Sequence, residues 1–434
     1  MVGMISANPP SRRNFLTTGA VAALAASAPV LLKGIPAGDA IKVGLVGCGG
    51  RGTGAANQAL HADDNSILTA VADIDQERID ACLDTLRRQQ GEKAAVKVSV
   101  EKPKQFLGLN AYQQLIDSGV DVVLLATPPG FRPQHLRAAI EANKHVFCEK
   151  PVATDAPGIR HVFETVRMAR QKNLNLVCGF CWRYANHIVD TFDQIHKGAL
   201  GSLVAYYATY YTRPVKPMPP ASARPAGMSD IEWQIRNWYN FSWLCGDSLV
   251  EQAVHSADKI AWAMNDQPPL SCVAVGGRQI PAEGGNIYDH FEVNYLYPNG
   301  VRAFLASRQI QGCYNENSDY ILGVEGACTI DRGPGPRITG KTNWTWQGQK
   351  YDMYQKEHDV LFAAIRKNQP VNDGEWMTTS TLLAMMGRMA AYTGQQITWD
   401  QALNSQEKLT PDVIEWNGSF KPSPLPQPGV TRFL

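Results

Sequence analysis

Three groups of residues in this sequence have side chains suited to chemistry. The first is Glu149-Lys150-Pro151, which closes the apolar run HVFC. A lysine at a strand's carboxyl end can bring its ammonium beside a bound hydroxyl or carbonyl, stabilise a developing alkoxide and shift proton affinities. Taken alone, Lys150 also reads as a surface lysine. The second is GDSLVEQAVHSADKIAWAMND, residues 246–266. Glu251 and His255 are four apart and so are neighbours on a helix, where a carboxylate orients an imidazole and raises its basicity. Asp247 and Asp258 share that face, while Leu249, Val250, Ala253, Val254, Ala257, Ile260 and Ala261 form an apolar one. Spacing alone favours the solvated side of an amphipathic helix. The third is Gly47-Cys48-Gly49-Gly50-Arg51-Gly52, between a β-branched apolar run (41–46) and a helical stretch to about Leu60.

That third group is G-x-G-x-x-G with a strand before it and a helix after it, the context the motif requires. Gly47 permits the tight turn, Gly49 lets a pyrophosphate approach the backbone, and Gly52 lets helix and strand pack closely. Gly50 and Arg51 open the helix whose N-terminus faces the phosphates. The next strand-like run, SILTAVADID, reaches Asp73, 21 residues beyond Gly52. An acid there hydrogen-bonds the adenine ribose. Asp73 and Asp75 repel a 2′-phosphate, which favours NAD. Arg78 offers an opposing charge and keeps NADP as the second choice.

These groups need strands to position them. After SILTAVADID come helical AYQQLIDS, the buried strand VDVVLLAT, a loop Thr127-Pro128-Pro129, a helix (134–142), the strand HVFCEKP, a long helix, and LNLVCGF as a sixth strand. This alternation predicts a doubly wound parallel sheet, an α/β Rossmann domain over 38–183. Ligands bind at the carboxyl ends of such strands, where Thr127, Pro128, Glu149, Lys150 and Arg183 fall. A second pattern starts near residue 184. A helix (185–197) precedes GSLVAYYATYY, a Pro- and Ala-rich loop (213–228), and a segment with Trp233, Trp238 and Trp243. Such aromatic faces stack on sugars or pack in a core. Trp238 is the candidate substrate contact. Strand-like runs, a YPNG hairpin turn and two closing helices follow. Residues 184–405 thus read as an α+β domain with a large, mostly antiparallel open sheet. Residues 406–434, rich in Pro, read as an extended tail. Met385, Met386 and Met389 read as core.

Net charge is +1, and no basic run argues for nucleic acid. Nine cysteines without a paired framework read as free, buried thiols. Cys178-Gly179-Phe180-Cys181 ends a strand-like run, lacks the second pair a zinc site needs and reads as structural. His290 and His358 lack ligand spacing, so no metal is expected. Ser11-Arg12-Arg13-Asn14-Phe15-Leu16 followed by a mildly apolar run fits a twin-arginine export signal within residues 1–37. The run is a poor membrane span. Cleavage is placed after Ala28 or Ala37, and no membrane anchor is expected. Periplasmic location follows, and free thiols suit a chain folded in the cytosol before export.

From Ile41 to about Ser405 the chain resembles the glucose–fructose oxidoreductase / inositol dehydrogenase / rhizopine-catabolism (Gfo/Idh/MocA) family. The resemblance is to its exported bacterial members with an EQxVHxxD segment and a GRMAAYTG helix. It implies NAD or NADP in the first domain and a sugar or polyol on the open sheet of the second. It implies that Lys150, Glu251 and His255 form the catalytic group, although the commoner acid at the position of Glu251 is Asp. It also implies an arginine at Arg183 beside the substrate with Asp247, Trp238 and Asp258, a cis bond before Pro151, and a homodimer or homotetramer. The activity implied is oxidation of a secondary hydroxyl with a tightly held, internally recycled cofactor. A redox-neutral glycosidase acting through a keto-sugar is the alternative, and a non-catalytic sugar binder is disfavoured by the presence of all three catalytic residues.

Overall fold

The computed structural model describes residues 34–36, 38–280, 284–333 and 335–434. The expected export motif, Ser11 to Leu16, lies outside the described residues.

Six short strands build the first sheet: β1 (Ile41–Val46), β2 (Ser66–Asp73), β3 (Gln105–Leu107), β4 (Val122–Leu125), β5 (His145–Cys148) and β6 (Leu176–Cys178). All neighbours are parallel, in the order β3-β2-β1-β4-β5-β6. Val122–Leu125 is buried at every position, as expected for a parallel strand with helices on both faces. The order reverses between β1 and β4, so the carboxyl ends of these two strands open the crevice in which such folds bind ligands.

The second sheet has nine strands: β7 (Leu203–Thr212), β8 (Ser271–Gly277), β9 (His290–Leu296), β10 (Arg302–Gln309), β11 (Glu316–Gly323), β12 (Gly326–Ile330), β13 (Arg337–Gly340), β14 (Trp344–Thr345) and β15 (Ile397–Thr398). Their order is β14-β13-β12-β11-β7-β10-β9-β8-β15. Only β7 and β10 pair in parallel. The YPNG segment is the turn between antiparallel β9 and β10, with Asn299 at φ 61°. The helices Val254–Ala263 and Gly374–Thr393 pack on this sheet, and the latter also packs against Ala156–Gln171 of the first domain. Met385, Met386 and Met389 lie in that shared core.

Two elements sit where the sequence pattern did not place them. Helix Met353–Lys367 crosses back to pack on Gly50–Ala62, and Leu361, Phe362 and Ile365 join the first domain's core. Residues 405–434 are extended but laid down tightly: the Gly429 N–H donates to the Thr393 carbonyl, and the Gln406 N–H donates to the Leu434 carbonyl. The cysteines are free, and all but Cys313 are buried. No helix of the described residues is long and apolar enough to cross a membrane.

Candidate functional site

A cavity of about 750 Å³ lies at the β1/β4 crossover. Its floor is the loop Gly47–Gly52. Gly47 adopts φ +99°, and a Cβ on it would lie 2.9 Å from the Ala126 carbonyl. A Cβ on Gly52 would lie 1.8 Å from the Gly47 oxygen. Both positions therefore require glycine for close backbone approach. Gly49 and Gly50 are different, because a Cβ on either would meet nothing within 4 Å and would project into free space. Helix Gly50–Ala62 begins here with no side-chain cap and no acid in its first turn. Its first N–H groups have no intrahelical partner and face an anion-sized cradle. That cradle fits a pyrophosphate.

Asp73, Arg78, Thr127 and Pro128 line the same cavity. Asp73 Oδ2 accepts the Cys48 N–H at 2.6 Å, and Oδ1 accepts the N–H of Ile74 at 2.7 Å and of Asp75 at 3.2 Å. The acid thus fixes the glycine loop to the end of β2 while one lone pair stays free for a ribose hydroxyl. Thr127 Oγ1 shares a hydrogen bond of 3.2 Å with His135 Nδ1. Burial and the nearby Arg132 charge push His135 down to about 3, so its ring is neutral. His135 stacks on Tyr112 at 4.1 Å.

Lys150 and Glu149 do not line this cavity; they sit beyond it, at the end of β5. The Lys150–Pro151 peptide is cis. Lys150 is 9% exposed, and its Nζ donates to the Glu251 carbonyl at 2.5 Å and to Glu251 Oε1 at 3.1 Å. Glu251 Oε2 accepts from Gln252 Nε2, and Gln252 Oε1 accepts from Tyr210 OH at 3.0 Å. His255 lies one turn on. Its Nδ1 is buried and has no hydrogen-bond partner among the described residues. Burial, then the charges of Lys150, Lys259 and Arg51, hold His255 well below its ordinary value, so the ring is uncharged.

The expected pairing of Glu251 with His255 is corrected. Leu249–Ala253 is a π turn, and the regular helix starts only at Val254. The wider turn breaks the four-residue neighbour rule, and the Lys150 ammonium takes the carboxylate instead. The solvated-face alternative also fails: Glu251, Asp258 and Lys259 are each at most 5% exposed.

Three further expectations, Arg183, Asp258 and Asp247, move from ligand contact to scaffold, and Trp238 moves to the dinucleotide cavity. Arg183 spends its guanidinium on Asp258 (2.8 Å) and Asp266 (2.5 Å) and lies over the Trp376 ring at 4.2 Å. Asp258 is also taken by Ser380 Oγ at 2.8 Å. Asp247, fully buried at φ +94°, accepts from the Tyr288 N–H, the Ser248 N–H and Tyr392 OH. Burial pushes it up to about 6. Asp247 and Asp258 are buried, and the Arg183 guanidinium is shared between two acids. Trp238 is not on the second domain's open sheet; it lines the dinucleotide cavity, stacked on Tyr239 with centroids 3.7 Å apart. Trp243 is core, 1% exposed.

Arg51 lines the cavity as expected, whereas Glu149 is corrected to a partner of its guanidinium. That guanidinium also pairs, at 2.7 Å, with Glu357. Burial opposes the Glu149 charge, but Arg51, Arg132 and Lys150 together hold its carboxyl below the usual range. Burial drives Glu357 the other way, well up, against the Arg51 charge. Gly179 leaves room for the arrangement, since a Cβ there would lie 2.5 Å from Glu149 Oε2.

Sequence reasoning missed His135, Tyr239 and Arg236. The first two have only aromatic company as a signal. Arg236 pairs with Asp75 across the domain boundary at 2.7 Å, a contact between residues far apart in sequence.

Comparison with known proteins bears on this geometry. The family described as an oxidoreductase family with an NAD-binding Rossmann fold matches residues 41–180. Myo-inositol 2-dehydrogenase of Thermotoga maritima is 24% identical over 216 residues, 49% of this chain and 57% of that protein. Inositol 2-dehydrogenase of Salmonella typhimurium is 30% identical over 180 residues, 41% of this chain and 48% of that protein. A glycosyl hydrolase family 109 protein of Shewanella sp. (strain ANA-3) is 29% identical over 178 residues, 41% of this chain and 36% of that protein. The matches thus span between about a third and just over half of these relatives. Levoglucosan dehydrogenase, solved with NADH and levoglucosan, has a TM-score of 0.65 at 16% identity over 83% of this chain and 99% of that one. Aldose-aldose oxidoreductase from Caulobacter crescentus, solved with glycerol, has a TM-score of 0.64 at 17% identity with the same coverage. At these identities the two structures establish a shared fold.

Proposed function

We propose that this chain, whose residues 41–180 match an oxidoreductase family with an NAD-binding Rossmann fold, oxidises a secondary hydroxyl of a sugar or polyol as members of the Gfo/Idh/MocA family do. The carrying observation is the contact between Lys150, at the carboxyl edge of the Rossmann sheet, and the turn that bears Glu251 and leads to His255. The Lys150 ammonium, held by Glu251, is among the charges that act on the His255 ring.

Gly49, Gly50 and the first turn of Gly50–Ala62 would hold the pyrophosphate, with Asp73 on the adenine ribose. Bound NAD supplies the hydride acceptor. Lys150 faces the substrate oxygen and stabilises its developing negative charge. Glu251 fixes the Lys150 ammonium, and Gln252 and Tyr210 fix Glu251. His255 accepts the hydroxyl proton on a ring nitrogen, which is free because the ring is uncharged. Asp73 and Asp75 favour NAD, with NADP second.

The twin-arginine pattern at residues 11–16 supports a periplasmic location. Such a location calls for a retained cofactor recycled in place. Exposed Val204, Val273, Val275 and Leu322 on the second sheet support a homodimer or homotetramer. The glycosidase alternative keeps the same first step: a ketone acidifies the adjacent C–H, the glycosidic substituent is eliminated, water adds, and the ketone is reduced again. The similarity to a family 109 glycosyl hydrolase protein favours keeping it.

The test adds inositols, free hexoses and aryl glycosides to the NAD-loaded protein. A persistent reduced-nicotinamide absorbance supports the dehydrogenase. Aglycone release without net reduction supports the glycosidase. Neither response to any member of the panel refutes both.

A further inference from the structure

The dinucleotide cavity is not built by the first domain alone. Ile235, Trp238 and Tyr239, on helix Asp230–Arg236 and the turn after it, line it together with the glycine loop. Trp238 and Tyr239 stack into one slab. This second-domain segment is a roof over the cleft.

Two fastenings hold the roof. At the rim, Arg236 Nη1 donates to Asp75 Oδ2 at 2.7 Å, and its Nε donates to Glu232 Oε1 at 2.8 Å. Asp75 also caps helix Gln76–Gln90 by accepting the Glu77 N–H at 3.0 Å. The latch therefore closes at the end of β2, where the adenine ribose is expected. From behind, the C-terminal segment crosses the roof. Ser229 Oγ donates to the Trp416 carbonyl, the Ile231 N–H to the Gly418 carbonyl at 3.4 Å, and Gln234 Nε2 to the Phe420 carbonyl at 2.6 Å. Trp416 and Phe420 pack with Ile231, Ile235 and Trp243 in one apolar cluster. That cluster also takes in Ile74, Leu109 and Phe131 from the cleft rim. Tail, roof and rim are one packed unit.

We infer that this roof and strap form a clasp that retains the dinucleotide, so that cofactor leaves only when the second-domain segment lifts. The inference rests on the dinucleotide reading above and adds slow exchange to it. The latch is a single, partly exposed ion pair of modest energetic weight, whereas lifting the strap exposes apolar surface. Loosening the strap should therefore speed release more than opening the latch.

The experiment follows release of NADH from the full-length protein, read by energy transfer from tryptophan and chased with excess ADP-ribose. The parent protein is compared with Arg236→Ala and Trp416→Ala. Release is expected to quicken a few-fold in the first and about tenfold or more in the second. Arg236 is a partly exposed rim residue, so its variant keeps the test open if the Trp416 variant folds poorly. NADH binding with release no faster in either variant overturns the clasp and leaves the dinucleotide reading standing. No NADH binding by the parent overturns both.

Discussion

Lys150 Nζ holds the Glu251 backbone carbonyl at 2.5 Å and its carboxylate at 3.1 Å. One side chain therefore ties the edge of the Rossmann sheet to the only π turn among the described residues. Both groups are almost fully buried, so the ammonium is fixed before any substrate arrives.

Removing that ammonium should cost turnover and spare cofactor binding. Lys150→Ala is expected to lower kcat by ~10² to 10³, the usual loss for an oxyanion-stabilising donor. NADH affinity, read by fluorescence, should change by less than about threefold, because Lys150 does not line the dinucleotide cavity. Equal losses of binding and turnover would place the lysine elsewhere.

Gly49 and Gly52 should respond oppositely to an added side chain. Gly49→Val projects into free space. It is expected to cost about 1 kcal/mol of stability or less while weakening NAD binding at least ~10-fold. Gly52→Ala drives a Cβ to within 1.8 Å of the Gly47 oxygen. It should cost about 3 kcal/mol or prevent folding. Thermal melts with and without NAD separate the two effects.

Arg183 and Asp258 should behave as scaffold. Removing one partner of a buried ion pair costs roughly 3–5 kcal/mol. Arg183→Ala is therefore expected to lower Tm sharply, while the remaining folded fraction keeps its KM. An unchanged Tm with a raised KM would restore the arginine to the substrate site.

Stability should fall in mild acid. Burial pushes His135 and His358 down to about 3. It pushes His145 down to about 4. Their unfolded forms take up a proton below pH ~6.5, whereas the folded forms do not, so stability present above that pH is lost on acidification. Asp247 and Asp373, pushed up to about 6, act in the opposite sense between their unfolded and folded values, but over a smaller span. Between pH 6.5 and 5 each fully buried histidine removes up to about 2 kcal/mol. His358→Phe should flatten the acid limb of the stability curve by about that amount. An unchanged limb would mean that His358 titrates in the folded protein.

The first sheet was legible because parallel strands leave unbroken apolar runs and because glycine spacing reports backbone geometry directly. The antiparallel character of the second sheet was legible from YPNG and its flanking runs. What failed was every inference from helix spacing to side-chain partner. Glu251 and His255 are neighbours only on a regular helix, and nothing in VEQAV announces a π turn. Arg183 and Asp258 look like ligand groups in sequence because their mutual pairing spans two domains. The roof over the cavity and the strap behind it depend on Arg236–Asp75 and on residues near Trp416, contacts between segments with no shared pattern.

The most direct measurement follows the hydrogen itself. Protein loaded with NAD is given inositols and hexosides carrying deuterium on their carbinol carbons, and the recovered cofactor is weighed by mass spectrometry. In samples quenched during turnover, deuterium is expected on the nicotinamide with the parent protein and to appear ~10² to 10³ more slowly with Lys150→Ala, before any return of the hydride to a ketone. Transfer by the Lys150 variant at the parent's rate, or none by the parent from any of these compounds, would contradict the assignment.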